Sequence, residues 1–180
     1  MFGSVAVTEA ERRAPRAGDG IVPGADVVMD RAFTLHGDPD DVWPWLVQLG
    51  KRRAGWYLPS SIERLLPPSR RAARSIDDRW QHLRVGDVIP DYGGRNETFQ
   101  VAEIQPPSTL VYRSRRGATD VTWSITLEPV PGPSSATRIF LRLRLGPVRH
   151  RWLADTAGEL LDLLTIAGLA TGLRERVPTE

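Results

Sequence analysis

The sequence predicts an α+β fold in which a curved antiparallel sheet wraps around one long C-terminal helix and leaves an internal cavity between them. Three observations predict it. Four consecutive runs between residues 99 and 145 alternate polar and apolar side chains at the two-residue period of half-buried strands. They are separated by short turn segments, Gln105-Pro106-Pro107-Ser108, Arg116-Gly117 and Pro129 through Ser135, which suit an antiparallel meander. After Gly146-Pro147 no proline interrupts the chain before Pro178, which predicts a helix over 147–177, roughly 45 Å long at 1.5 Å per residue.

Each element follows from local chemistry. Residues 1–24 carry few large apolar side chains and end in Gly18, Gly20, Pro23 and Gly24, the composition of a flexible tail, so the domain is expected over 25–177. A strand is predicted from Val27 to Leu35. Asp38-Pro39-Asp40-Asp41 then opens a helix with a cap, a proline at its first position and acids in its first turn. Pro44 is expected to kink or restart that helix, and Gly50 to stop it. Ser60-Ser61-Ile62-Glu63 offers a capping box for a short helix, and Val85 through Pro90 reads as a turn entering a short strand.

In the meander, Val121, Trp123, Ile125 and Leu127 lie opposite Thr122, Ser124, Thr126 and Glu128. Ile139, Leu141, Leu143 and Leu145 lie opposite Arg138, Phe140, Arg142 and Arg144. The inner face is therefore the aliphatic one. For the strand through Leu110, Tyr112 and Ser114 the pattern leaves the inner side open. On the last helix, Leu153, Ala157, Leu160, Leu161, Leu164, Gly168 and Thr171 make a continuous stripe expected to pack on the sheet, with Leu163, Ile166, Leu169 and Leu173 outside it.

Composition narrows the function. The chain has 180 residues, 41% hydrophobic and 26% charged, which suits one globular domain. The longest nearly apolar run, Leu160 to Leu173, contains Asp162 and is shorter than the roughly 20 residues of a membrane span. The N-terminus lacks a basic start followed by an apolar stretch, and cysteine is absent; both point to a cytoplasmic protein. The net charge is only +2 and 23 of the 24 basic residues are arginine, interspersed with 22 acids. Arg70, Arg71 and Arg74, or Arg113, Arg115 and Arg116, therefore read as solvated surface and no nucleic-acid partner is expected. His36, His82 and His150 show no ligand spacing, so no metal is expected, and no cofactor motif is present.

The order strand, broken helix, irregular middle, antiparallel meander and long closing helix carries a family resemblance. It rests on Phe33-Thr34-Leu35 before Asp38-Pro39-Asp40-Asp41-Val42-Trp43, on Val85-Gly86-Asp87-Val88-Ile89-Pro90, on Phe99-Gln100-Val101-Ala102-Glu103-Ile104 followed by Pro106-Pro107 and Leu110-Val111-Tyr112, and on the terminal helix. The chain resembles the SRPBCC superfamily of helix-grip proteins, which includes START-type lipid carriers, Bet v 1-like proteins and polyketide cyclases. The resemblance implies a cavity under the long helix for a small apolar molecule such as a lipid, sterol or polyketide, held by a carrier or sensor. The alternatives are a cyclase or aromatase-type enzyme and a protein that dimerises through the outer face of the helix.

Candidate residues follow from position. The phase of Phe99 and Val101 turns Glu103 toward the apolar side of its strand, where a desolvated carboxylate could serve as general acid or base. Tyr112 and Trp123 are candidates to line the cavity. Trp56, Tyr57, Trp80, His82, Asp91 and Tyr92 lie in the irregular middle, expected at the cavity mouth.

Overall fold

A computed structural model of the chain describes residues 5–148 and 158–177. Six strands form a single antiparallel sheet: β1 (Val27–His36), β2 (Val88–Pro90), β3 (Thr98–Gln105), β4 (Thr109–Arg116), β5 (Thr119–Pro129) and β6 (Ala136–Gly146), in the order β1-β6-β5-β4-β3-β2. The meander runs through β2 to β6. β1 then pairs along β6 from Val27 opposite Leu145 to His36 opposite Ala136, while β1 and β2 remain the two edges of an unclosed sheet. The helices are α1 (Glu9–Arg13), α2 (Pro39–Gln48), α3 (Ser60–Glu63) and α4 (Glu159–Arg174), the last packed against β1. A curved antiparallel sheet gripping a C-terminal helix is the helix-grip arrangement that the strand pattern predicts.

The inner face of β5 and β6 is the aliphatic one: Val121, Ile125, Leu127, Ile139 and Leu141 are buried, and Trp123, Leu143 and Leu145 pack against the same core. The register resolves β4 as well. Leu110 and Tyr112 stand opposite Ile125 and Trp123 on the inner face, whereas Val111 stands opposite Ser124 on the outer one. α2 supplies Val42, Trp43, Trp45, Leu46 and Val47 to this core. It continues through Pro44 without restarting. The proline removes one hydrogen bond, to the carbonyl of Asp40, which lies on the exposed first turn.

The face that α4 buries differs from the stripe that its spacing predicts. Ile166, Ala167, Leu169, Ala170 and Leu173 are buried, whereas Leu160, Leu161, Leu163 and Leu164 are exposed. Leu153 and Ala157 of the expected stripe lie outside the described residues. The reason is a second partner. α4 is squeezed between β1 and the 56–58 segment, and Gly172 lets the Tyr57–Leu58 backbone approach so closely that a Cβ there would sit 2.6 Å from the Tyr57 carbonyl carbon. Arg176, just past the helix, is fully buried and ties this segment down through Glu63 at 2.5 Å and the carbonyls of Leu58, Ala73 and Gly172.

Composition casts residues 1–24 as a tail, yet from Val5 onward the described segment lies along the outer face of the sheet. Thr8 and Glu11 form a reciprocal capping box on α1. Arg142 of β6 reaches outward to the carboxylates of Asp30 and Asp19 and to the carbonyls of Arg12 and Ala14. Arg138 holds Glu11 and the carbonyl of Ala6, Arg144 holds the carbonyl of Val22, and Gly18 packs its backbone on Val111. The outer arginines of β6 thus serve as donors to the backbone of the N-terminal segment. Apolar content is a poor guide to order where such donors replace hydrophobic contact.

Candidate functional site

A cavity of ≈ 340 Å³ lies between the concave face of the sheet and the first turns of α4. Its floor is built from alternate residues of neighbouring strands, Met29 of β1, Leu143 and Leu145 of β6, Trp123 of β5 and Phe99 of β3. α4 covers it with Leu161, Asp162, Thr165 and Ile166, and one wall is made by Trp56, Asp91, Gly93 and Arg116. A larger depression of ≈ 530 Å³ opens on the opposite face of the sheet between Ile21 and Val88, lined by Thr98, Gln100, Arg113, Ser114, Arg115 and Asp120. The smaller space is the better candidate, because apolar and aromatic side chains converge there around a few polar groups.

Aromatic rings organise the cavity. Trp56 and Trp123 stack at 6.0 Å with 28° between planes, and Trp123 stacks on its cross-strand neighbour Tyr112 at 5.8 Å and 19°. Phe99 tilts against both Tyr112 and Trp123. The Trp56 indole N–H points at the Thr165 carbonyl of α4 at 3.4 Å, so one ring joins sheet, wall and helix.

Two ion pairs supply the polarity. Arg31 of β1 meets Asp162 of α4 at 3.0 Å across the helix–sheet junction. At the other end Arg116 donates to Asp91, with its guanidinium 5.2 Å from the centre of the Phe99 ring. The loop that carries Asp91 is further held by Lys51, whose ammonium donates to the carbonyls of Asp91 and Gly94 at 2.9 Å each. A Cβ at Gly93 would meet Arg116 Nη1 at 2.6 Å, so the guanidinium lies directly on the loop backbone.

Of the residues singled out by sequence, Trp56, Asp91 and Trp123 line the cavity. Tyr92 stands beside it, exposed, edge-on to Trp56 at 6.2 Å. Tyr112 is buried behind Trp123, and burial pushes its phenol pKa upward. Tyr57 belongs to the core: its hydroxyl donates to the Trp45 carbonyl and accepts from Gln48, and burial likewise raises its pKa. Trp80 packs under the Arg53 guanidinium at 4.8 Å, away from the cavity, and His82 is exposed.

Glu103 does not face inward. A β-bulge between Val101 and Glu103 shifts the β3–β4 register, so Val101 stands opposite Tyr112 on the inner face while Glu103 stands opposite Val111 on the outer one. Its carboxylate accepts from Gln105 at an exposed site. The extra residue of the bulge inverts the alternation on which the inward reading rests, and the general acid or base assigned to Glu103 has no access to the cavity.

Sequence reasoning missed Met29, Phe99, Arg116, Leu143, Leu145, Asp162 and Thr165 as wall residues. Arg116 is one of a triple that composition reads as solvated surface. The other five, Arg70, Arg71, Arg74, Arg113 and Arg115, are exposed as that reading expects, with surface hydrogen bonds such as Arg113 to Gln100 and Arg71 to the carbonyls of Arg64 and Leu66. Among the described residues no group of three or more His, Asp or Glu is placed to hold a metal ion, and no helix is long and apolar enough to cross a membrane.

No family model matches the chain, and no curated protein matches it. Solved structures do. Hypothetical protein jhp0584 from Helicobacter pylori superposes with a TM-score of 0.57 at 15% identity, over 92% of this chain and 97% of that one. Protein CV1439 from Chromobacterium violaceum gives 0.53 at 17% identity, covering 85% and 99%. CalU16 from Micromonospora echinospora gives 0.50 at 14% identity, covering 84% and 76%. At such identities the likeness shows the fold alone.

Proposed function

We propose that the protein is a helix-grip member of the SRPBCC superfamily that holds a small apolar molecule, of lipid, sterol or polyketide kind, between the sheet and α4 as a carrier or sensor. The observation that carries this reading is the cavity floor, where Phe99, Trp123, Met29, Leu143 and Leu145 face an open space on the concave side of a sheet that is otherwise close-packed. Proteins bury such surface against a partner, and within a cavity the partner is a ligand. Carriage is favoured over catalysis because, among the described residues, the two carboxylates that line the space, Asp91 and Asp162, are each tied to an arginine, and Glu103 lies outside it. A carboxylate engaged by a guanidinium is less available as general acid or base than a free one.

The test uses the neutral fluorophore N-phenyl-1-naphthylamine. Saturable one-to-one enhancement is expected, with Leu143→Trp, which fills the floor, weakening it tenfold or more in a variant that keeps the wild-type circular dichroism. Linear uptake, or binding indifferent to Leu143→Trp, refutes the reading.

A further inference from the structure

We infer that the cavity selects an apolar molecule bearing an acidic group, a carboxylate or an ionised phenol or enol, and that Arg116 is the residue that recognises it in exchange with Asp91. The inference rests on the binding reading above and adds the chemistry of one end of the ligand.

The polarity of the two ends differs. At the α4 end Arg31 of the sheet meets Asp162 of the helix at 3.0 Å. At the loop end Arg116 donates to the Asp91 carboxylate, while the Lys51 ammonium is held by the backbone carbonyls of Asp91 and Gly94. Of the five N–H donors of Arg116, only one on Nη2 is engaged by a carboxylate. Among the described residues its buried Nε has no hydrogen-bond partner, although the side chain as a whole is 30% exposed. An orphaned buried donor is unfavourable, so the present pairing is a poor rest state for a guanidinium that suits two-point binding of a carboxylate. A small change in the tilt of this planar fork on the Gly93 backbone turns its free edge to an acceptor in the cavity. An aromatic body would then lie on Trp56, Trp123 and Phe99, with Arg116 already seated over the Phe99 ring. Asp91 is the internal occupant of that donor set, and Lys51 keeps the loop in place when Asp91 yields.

The experiment displaces N-phenyl-1-naphthylamine with 2-naphthoate and with 2-naphthamide, which share a ring system and differ in charge. Wild type is expected to favour the naphthoate by about tenfold, the scale of one charge-assisted hydrogen bond. Arg116→Gln should erase that preference and leave the naphthamide affinity within about twofold. Asp91→Asn, which removes the internal competitor, should tighten naphthoate and leave naphthamide unchanged; a loop-packing role for the pair would move both ligands together. Should Arg116→Gln fail to fold, Asp91→Asn and the salt dependence of wild-type naphthoate binding decide the matter. Equal affinities for acid and amide, or parallel losses for both in Arg116→Gln, overturn the inference while the cavity reading stands. If neither ligand nor the fluorophore binds wild type, both fall.

Discussion

Replacing Leu169 and Leu164 of α4 separately by alanine measures which face of the helix is buried. Leu169 has no exposed surface, whereas Leu164 is 52% exposed although it stands in the middle of the stripe that the sequence spacing favours. Leu→Ala removes three carbons, at about 0.8 kcal/mol each when fully buried, so Leu169→Ala loses about 2.4 kcal/mol of transfer free energy. The cavity left among Ile166, Leu173 and the β1 side chains brings the cost to roughly 3–5 kcal/mol. For Leu164 about half of the transfer term applies, no closed cavity forms, and alanine is the better helix former; the net cost is about 1 kcal/mol or less. Urea titrations followed by far-ultraviolet circular dichroism and by tryptophan fluorescence give both values, provided that the two probes coincide and the slope is unchanged. A cost for Leu164→Ala equal to or above that for Leu169→Ala would show that α4 is rotated relative to the structure and that the cavity roof is misassigned.

Gly172→Ala should destabilise by about 1–3 kcal/mol, because the new Cβ meets backbone atoms of Tyr57 and Leu58 that cannot step aside, while Gly20→Ala, with nothing within 4 Å, should be near neutral; matching thermal melts of the two variants would refute the close packing of α4 on the 57–58 segment. The N-terminal segment should loosen in acid. The hydrogen bonds from Arg138 hold Glu11 below the ordinary carboxylate value of 4.5, with the Thr8 backbone adding to the effect. A folded-state value lower than the unfolded one gives a contribution fully present above pH 4.5 and lost as the pH falls through the lowered value. Hydrogen exchange at the α1 amides, corrected for intrinsic rates, should therefore rise below about pH 4, and Glu11→Gln should remove that dependence. A pH profile identical in the two proteins would show that Glu11 does not secure the segment.

The sheet was the most legible part of the fold, because alternation over eight to eleven residues repeats the same physical constraint on every side chain. It fails at one place, Val101–Glu103, where a bulge adds a residue with no sequence mark of its own. The helix face was less legible for a different reason. Apolar residues surround α4 on nearly every side, so periodicity could not choose between two stripes; Gly168 and Gly172 held the information, as small residues where a second element comes close. The N-terminal segment has too few apolar residues for composition to mark it as ordered. Its order is supplied by Arg138, Arg142 and Arg144, residues that the strand pattern correctly placed outside.

The cavity is a harder object to read, since its lining comes from six separate elements and no two lining residues make a local motif. Phase nevertheless reaches part of it. On β4, once Tyr112 is placed inward beside Trp123, Ser114 and Arg116 follow on the same side, and Arg113 and Arg115 fall outside opposite Thr122 and Asp120. The basic triple thus divides into two surface arginines and one at the cavity wall, a distinction that composition erases and register restores. The same reasoning places Arg31 on the inner phase of β1 between Met29 and Phe33, where it meets Asp162 of α4. Both polar walls of the cavity are therefore charged residues standing in an otherwise apolar inward series. A cation in that position must find a carboxylate or remain unfavourably buried. Arg31 has found one on the helix. Arg116 has found one on the loop that carries Asp91, so two arginines of the same phase tie the sheet to different elements around the cavity.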